Sequence, residues 1–202
     1  MGWLLTNFRN TMIVSVLLAL VMIGGYYHHH DTGADRVFWE AVLRFLHVFS
    51  GILWIGLLYY FNFVQIRKMP DIPAELKPAI SKYIAPEALF WFRYAALFTW
   101  IFGIALAWNR GYLLDAVTLG GASGFSNPQT MLIGVGMWLA TIMFINVWAF
   151  IWPAQKIALG LVEADADRKA KAARTATLFS RTNTLLSLPM LVCMTMSQTI
   201  FG

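Results

Sequence analysis

The sequence predicts an all-α fold: a polytopic transmembrane helix bundle of about five helices, with its N-terminus in the cytoplasm. Three observations carry that prediction. The 202 residues are 59% hydrophobic and only 12% charged, roughly half the charged share of an average soluble domain. The apolar residues collect in runs of roughly 18 or more, the length that crosses ~30 Å of hydrocarbon. Nine Trp and seven Tyr gather near the ends of those runs, where amphipathic rings settle at the membrane interface. A mean hydropathy of +0.62 agrees.

Residues 1–202 read as a single transmembrane domain with spans at about 11–27, 38–64, 88–108, 131–152 and 182–201. Each span must be a helix, because an open strand edge in lipid leaves backbone groups unpaired. The first follows Arg9 and superficially resembles a signal peptide. Bulky Tyr26 and Tyr27 and then His28, His29 and His30 follow it instead of a small-residue cleavage site, so it is expected to be retained. The fifth is the least apolar, with Asn183, Ser187, Pro189, Thr195, Ser197 and Gln198. That content predicts a helix packed inside the bundle, or near its end, rather than one bathed in lipid.

The connections set the expected orientation. Residues 65–87 hold Arg67, Lys68, Lys77 and Lys82, and residues 153–181 hold Lys156, Arg168, Lys169, Lys171, Arg174 and Arg181. With Arg9, these make eleven cations on one side against Arg36 and Arg110 on the other, leaving out Arg44 and Arg93 within the spans. The positive-inside rule places the first set in the cytoplasm. The net charge of +5 is thereby explained by orientation, and no nucleic-acid partner is expected. Residues 65–87, with Pro70, Pro73, Pro78 and Pro86, read as an extended loop with one short helix. Residues 111–128 read as a Gly- and Ser-rich outer loop. Residues 155–180 carry no Gly after Gly160 and read as a solvated helical continuation of the fourth span.

Few residues within the spans can carry chemistry. Glu40 is the one acidic residue there, and no nucleophile–base pair, phosphate loop or carboxylate pair is visible. That pattern disfavours an ion-coupled transporter. The single cysteine, Cys193, excludes an internal disulfide and a C-x-x-C-H haem attachment. His47 lies about nine residues inside the second span, ~14 Å from its outer end at ~1.5 Å per residue. Ionisable groups at that depth face the bundle interior and are functional candidates. Arg44, His47, Gly51, Trp54 and Leu58 follow spacings of three and four, so they share one helix face.

Two readings of His47 stand. In one, its imidazole ligates haem iron, Gly51 and Trp54 flank the macrocycle and Arg44 pairs with a propionate. In the other, it is a packed or proton-relaying histidine, with Gly51 serving close helix approach. Met190 and Met194 lie at a similar depth, and either thioether can complete a His/Met iron site. With Cys193 they also form a soft cluster that suits Cu(I), or they simply fill the core. His28, His29 and His30 are expected to be interfacial rather than ligands. Arg93 either snorkels to the headgroups or holds an anionic group. Asn62 and Asn146 are expected to bond between helices.

Several runs resemble a known family. Leu46-His47-Val48, Gly51-Ile52, Trp54-Ile55-Gly56 and Tyr59-Tyr60-Phe61 are similar to a helix of the membrane domain of bacterial membrane-bound urate hydroxylase, the urate oxidase N-terminal family. Trp91-Phe92-Arg93-Tyr94-Ala95, Trp100, Gly103 and then Asn109 and Tyr112-Leu113-Leu114-Asp115 are similar to its next helix and loop. Asn146-Val147, Ile151-Trp152-Pro153, Asn183 and Leu186-Ser187-Leu188-Pro189 resemble the pair that follows. The resemblance spans about residues 37–200, and more distantly the second span resembles HemJ-type haem membrane proteins. It implies a multi-pass protein of the bacterial inner membrane that binds haem b and passes electrons to a cytochrome c. The family's cytochrome c domain and its further membrane helices have no counterpart among these residues, and Thr182 and Gln198 stand where the family pattern carries histidines. The function expected is therefore a haem b-binding electron-transfer or accessory subunit of a larger membrane complex. The alternatives are a cofactor-free structural subunit and a membrane oxidoreductase acting on a purine or quinone.

Overall fold

A computed structural model of the protein describes residues 2–29 and 34–201. The described residues form helices and turns, with no strand among them. The chain divides into two compact units, residues 1–43 and 44–202.

The first unit holds α1, Phe8–His29, and the start of α2, Arg36–Tyr59. Asn7 opens α1 by accepting the Arg9 N–H at 3.0 Å. No residue of α1 is buried. At the other end of this unit Tyr26 and Tyr27 pack on Phe38, ring centroids 6.3 and 5.3 Å apart.

In the second unit α2 runs on through a π-helical turn, Tyr60–Gln65, to Asp71. The chain then turns at 72–76 and is helical again from Lys77, through a π turn at Ile80–Ile84, into α3, Ala85–Asn109. The extended loop expected at 65–87 thus shrinks to a few residues. Pro78 stands in the first turn of the helix that begins at Lys77, where a missing N–H costs nothing, while Pro86 follows the π turn inside that helix and Pro70 lies in the last turn before Asp71.

Outside the spans, α4, Leu113–Val117, lies against the start of α5, Pro128–Ile145. A Cβ on Gly134 would stand 2.2 Å from the Ala116 carbonyl oxygen, so only glycine permits this backbone contact. Asn127 caps α5 by accepting the Gln129 and Thr130 N–H groups, and the Asp115 carboxylate accepts the Thr130 hydroxyl and the Ser123 N–H. The Thr130 bond, then those from Ser123, holds the Asp115 carboxyl below its ordinary pKa.

After α5 a π turn, Asn146–Ile151, leads into α6, Trp152–Ala158. The helix stops at Gly160, whose φ of +77° suits only glycine without strain. Asp165 then caps α7, Ala166–Ile200, by accepting the Arg168 N–H at 2.7 Å. The charged helix expected to continue the fourth span therefore belongs to α7. Nor is it solvated all round. Ala172 and Ala176 are buried against Ala154, while Arg168, Lys171 and Arg174 stay exposed and Lys169 is half-buried.

Among the described residues, four helical stretches are long and apolar enough to cross a membrane: Phe8–His29, Arg36–Asp71, Lys77–Asn109 and Pro128–Ala158. The last 20 residues of α7, the fifth span of the sequence reading, are helical as expected but more polar. Thr182, Thr195 and Thr199 are exposed and bond back to their own helix, whereas Asn183, Ser187 and Ser197 are turned inward and each is 0% exposed. The core that receives them comes from Trp54, Leu58, Phe61, Leu89, Phe92, Met143, Val147, Ile151 and Met190.

Candidate functional site around His47

The inward face of α2 is the one its spacing predicts. Trp54 and Leu58 are fully enclosed, and Arg44, His47 and Gly51 are half-buried. What they meet is a stripe of small residues on α3, Ala95, Thr99, Gly103 and Ala107, spaced by four. His47 Nδ1 lies 2.8 Å from the Thr99 carbonyl oxygen. A carbonyl can only accept, so Nδ1 carries the proton and Nε2 keeps its lone pair. Among the described residues nothing bonds to Nε2. A Cβ on Gly103 would lie 2.9 Å from His47 Cε1, so glycine is what lets the imidazole rest against the α3 backbone. The Thr99 carbonyl oxygen has a second lone pair to offer His47, and the Thr99 hydroxyl is itself satisfied by donating to the Ala95 carbonyl at 2.7 Å.

The other predicted residues are distributed as follows. A Cβ on Gly51 would meet Thr99 Cγ2 at 3.7 Å, an ordinary contact, so Gly51 serves the approach of α2 to α3. Trp54 is 1% exposed, and its indole N–H is buried with no acceptor. Arg44 donates from Nη1 to Gln198 Oε1 at 2.5 Å, joining α2 to the C-terminal end of α7. Cys193 and Met194 face α5: a Cβ on Gly136 would lie 2.8 Å from Cys193 Cβ and 3.5 Å from Met194 Cε. Met190 is buried in the core cluster that also holds Trp54 and Leu58. Beside Gln198, a cavity of about 20 Å³ is lined by Arg110, Tyr112, Gln129, Thr130 and Ser197, room for a single water. The rings of His28 and His29 stand edge to face at 5.7 Å, and His30 lies outside the described residues. Among those residues no three His, Cys, Asp or Glu side chains come together to hold a metal.

Asn183, Ser187 and Ser180 of α7 have side-chain partners on other helices, whereas the buried Ser197 hydroxyl has none among the described residues. Asn146 donates to Asn183 Oδ1 at 2.8 Å, and Asn183 Nδ2 donates to the Met143 carbonyl at 2.9 Å. Asn62 donates to Ser180 Oγ at 2.8 Å, and Tyr59 Oη and Ser187 Oγ are 2.9 Å apart. Asn62 and Asn146 both lie in π turns, and both bond between helices as their sequence position implies. Of the partners of His47 and Arg44, Thr99 escaped the sequence reading, and Gly103 and Gln198 are named there without these contacts. The four-residue spacing of small residues on α3 was the available signal for Thr99 and Gly103.

A haem macrocycle needs a histidine with one nitrogen anchored and the other open. His47 meets that requirement, and a hydrogen bond such as its Nδ1–carbonyl bond is what orients such ligands. Arg44 is occupied by Gln198 and Met194 lies against Gly136 of α5, so the fit rests on His47.

No curated protein and no solved structure matches the chain. A family model, described as urate oxidase N-terminal, matches residues 112–199. That stretch contains α4 to α7 with Met190 and Met194, and it ends one residue past Gln198; His47 and Arg44 precede it. With four membrane-length apolar helices, the chain is a multi-pass membrane protein whose residues 112–199 match the urate oxidase N-terminal family.

Proposed function

We propose that this membrane protein is a haem b-binding electron-transfer or accessory subunit, with His47 as the iron ligand. The observation that carries the reading is the imidazole held by the Thr99 carbonyl through Nδ1, with Nε2 uncommitted. The resemblance to a family associated with haem supports it independently. When bound, haem supplies one-electron transfer. The chain's own part is to orient the ligand: Thr99 fixes the tautomer, and Gly103 fixes the plane of the ring. Arg44, one turn nearer the outer end, pairs a propionate by exchanging its contact with Gln198. The methionines keep their packing roles, which leaves His47 as the chain's single strong donor. In this reading the electron partner is a cytochrome c or another subunit of a membrane complex.

The test is the absorption spectrum of protein purified from its native membrane. Wild type should show a Soret band that shifts on reduction, and His47→Ala should lack it. Arg44→Ala should retain most of it, because a charge pair near the interface contributes only about 1 kcal/mol. A wild type without haem would sink the reading in favour of a cofactor-free structural subunit. That second reading draws on the same site, since contact with Thr99 and Gly103 also makes His47 a satisfied packing residue. We further propose that the N-terminus and residues 65–87 and 153–181 face the cytoplasm. Reporter fusions should be active outside at Ser123 and inactive at Ser81, and the reverse pattern would overturn the orientation.

A further inference from the structure

We infer that Arg93, Trp152 and Lys156 form a binding site for the phosphate group of an anionic phospholipid at the Lys77–Ala85 end of α3. Arg93 donates back along α3 to the Leu89 carbonyl at 3.4 Å, so its side chain runs toward that membrane boundary, as helical side chains lean toward the N-terminus. Its guanidinium carbon lies 3.7 Å from the centre of the Trp152 ring. Phe90 and Tyr94 flank it at 5.5 and 5.4 Å. Lys156, one turn beyond Trp152 on α6, brings its amino group to 5.7 Å from the same ring. Two cations from two helices therefore share one indole. Neither has an acidic partner among the described residues. The acid nearest on α3, Glu87, accepts the Trp91 indole N–H at 2.9 Å.

Unpaired positive charge at the edge of the hydrocarbon is costly and seeks an anion. The guanidinium fork matches the oxygens of a phosphate. The setting favours a lipid over a free ion, because Phe90, beside the guanidinium, and Trp91 next to it are exposed to the surroundings at 42% and 50%. Apolar rings facing outward beside a cation pair suit acyl chains. The inference is independent of haem.

Native mass spectrometry of the full chain tests it, comparing retention of phosphatidylglycerol and phosphatidylcholine in wild type and in Arg93→Gln/Lys156→Gln, with and without inorganic phosphate. Each cation near a membrane surface accounts for about a fivefold preference, so wild type should retain phosphatidylglycerol preferentially and the double variant should lose that preference. Arg93→Lys, which keeps the charge, should retain part of it and serves as the folding control. A phosphate adduct that displaces the lipid, and is absent in the double variant, would overturn the lipid and assign the site to free phosphate. Equal retention of the two lipids in wild type, or an unchanged preference in the double variant, would overturn the site itself.

Discussion

Helices α1 and α7 invert the rule that holds in water. α1 reaches a mean hydropathy of 1.7 over its most apolar stretch and buries none of its residues. α7 falls outside the membrane-length apolar helices, yet it buries Ala172, Ala176, Ser180, Asn183, Ser187, Met190, Cys193 and Ser197. In a bilayer, apolar surface gains nothing by leaving lipid, so burial is driven by packing and by hydrogen bonds that lipid cannot replace. A uniformly apolar helix is free to face lipid, whereas one carrying Asn and Ser must turn them toward partners. In α7 Ser180, Asn183 and Ser187 are spaced by three and four and Ser197 lies ten residues further on, so all four fall on a single face. Length then separates two tasks. The 35 residues of α7 span roughly 52 Å, and its N-terminal part packs outside the hydrocarbon on α6 through small alanines.

Substitutions in the two helices should separate accordingly. The largest effect is expected at Asn183. Replacing it with Leu preserves volume but leaves the Asn146 amide and the Met143 carbonyl without their partner. Thermal or denaturant unfolding in mild detergent should report a loss of about 1–2 kcal/mol; unchanged stability would mean that the buried amide pair is dispensable. At the small end, Leu17→Ala on α1, at a side chain that is 55% exposed, should stay within about 0.5 kcal/mol of wild type. A larger loss there would show that another chain covers α1.

Much of this architecture was legible in the sequence, for reasons that differ by element. The spans could be read because hydrocarbon thickness imposes length, and the inward face of α2 because His47, Gly51, Trp54 and Leu58 follow the helical period. The inward turn of the fifth span could be read from its polar residues. The connections misled where local signals have two meanings. Pro78 reads as a breaker but occupies a first-turn position, which depends on where a helix starts, and Pro86 is carried inside a continuous helix just after a π turn. The helix after residue 160 was attached to the wrong neighbour, although Gly160 and Asp165 are an ordinary stop and an ordinary cap. At the site, His47 stood out by depth, but its partner Thr99 lies 52 residues away and Gln198 lies 154 residues from Arg44. Pairings at that separation leave no local trace. Gln198 itself was noted only as a departure from the family pattern, whereas in the structure it occupies the arginine nearest the candidate ligand.

The most direct measurement of the central claim is chemical rescue at His47. Exchanging His47 for Gly removes the imidazole and leaves the space it filled between Thr99 and Gly103. If His47 is the iron ligand, the His47→Gly protein should lack the Soret band and should regain it when haem is supplied with millimolar free imidazole (on the order of 1–10 mM, a concentration typical of weak small-ligand sites). Wild type should be indifferent to added imidazole. Haem retained by His47→Gly without imidazole, or absent from wild type, would contradict the assignment.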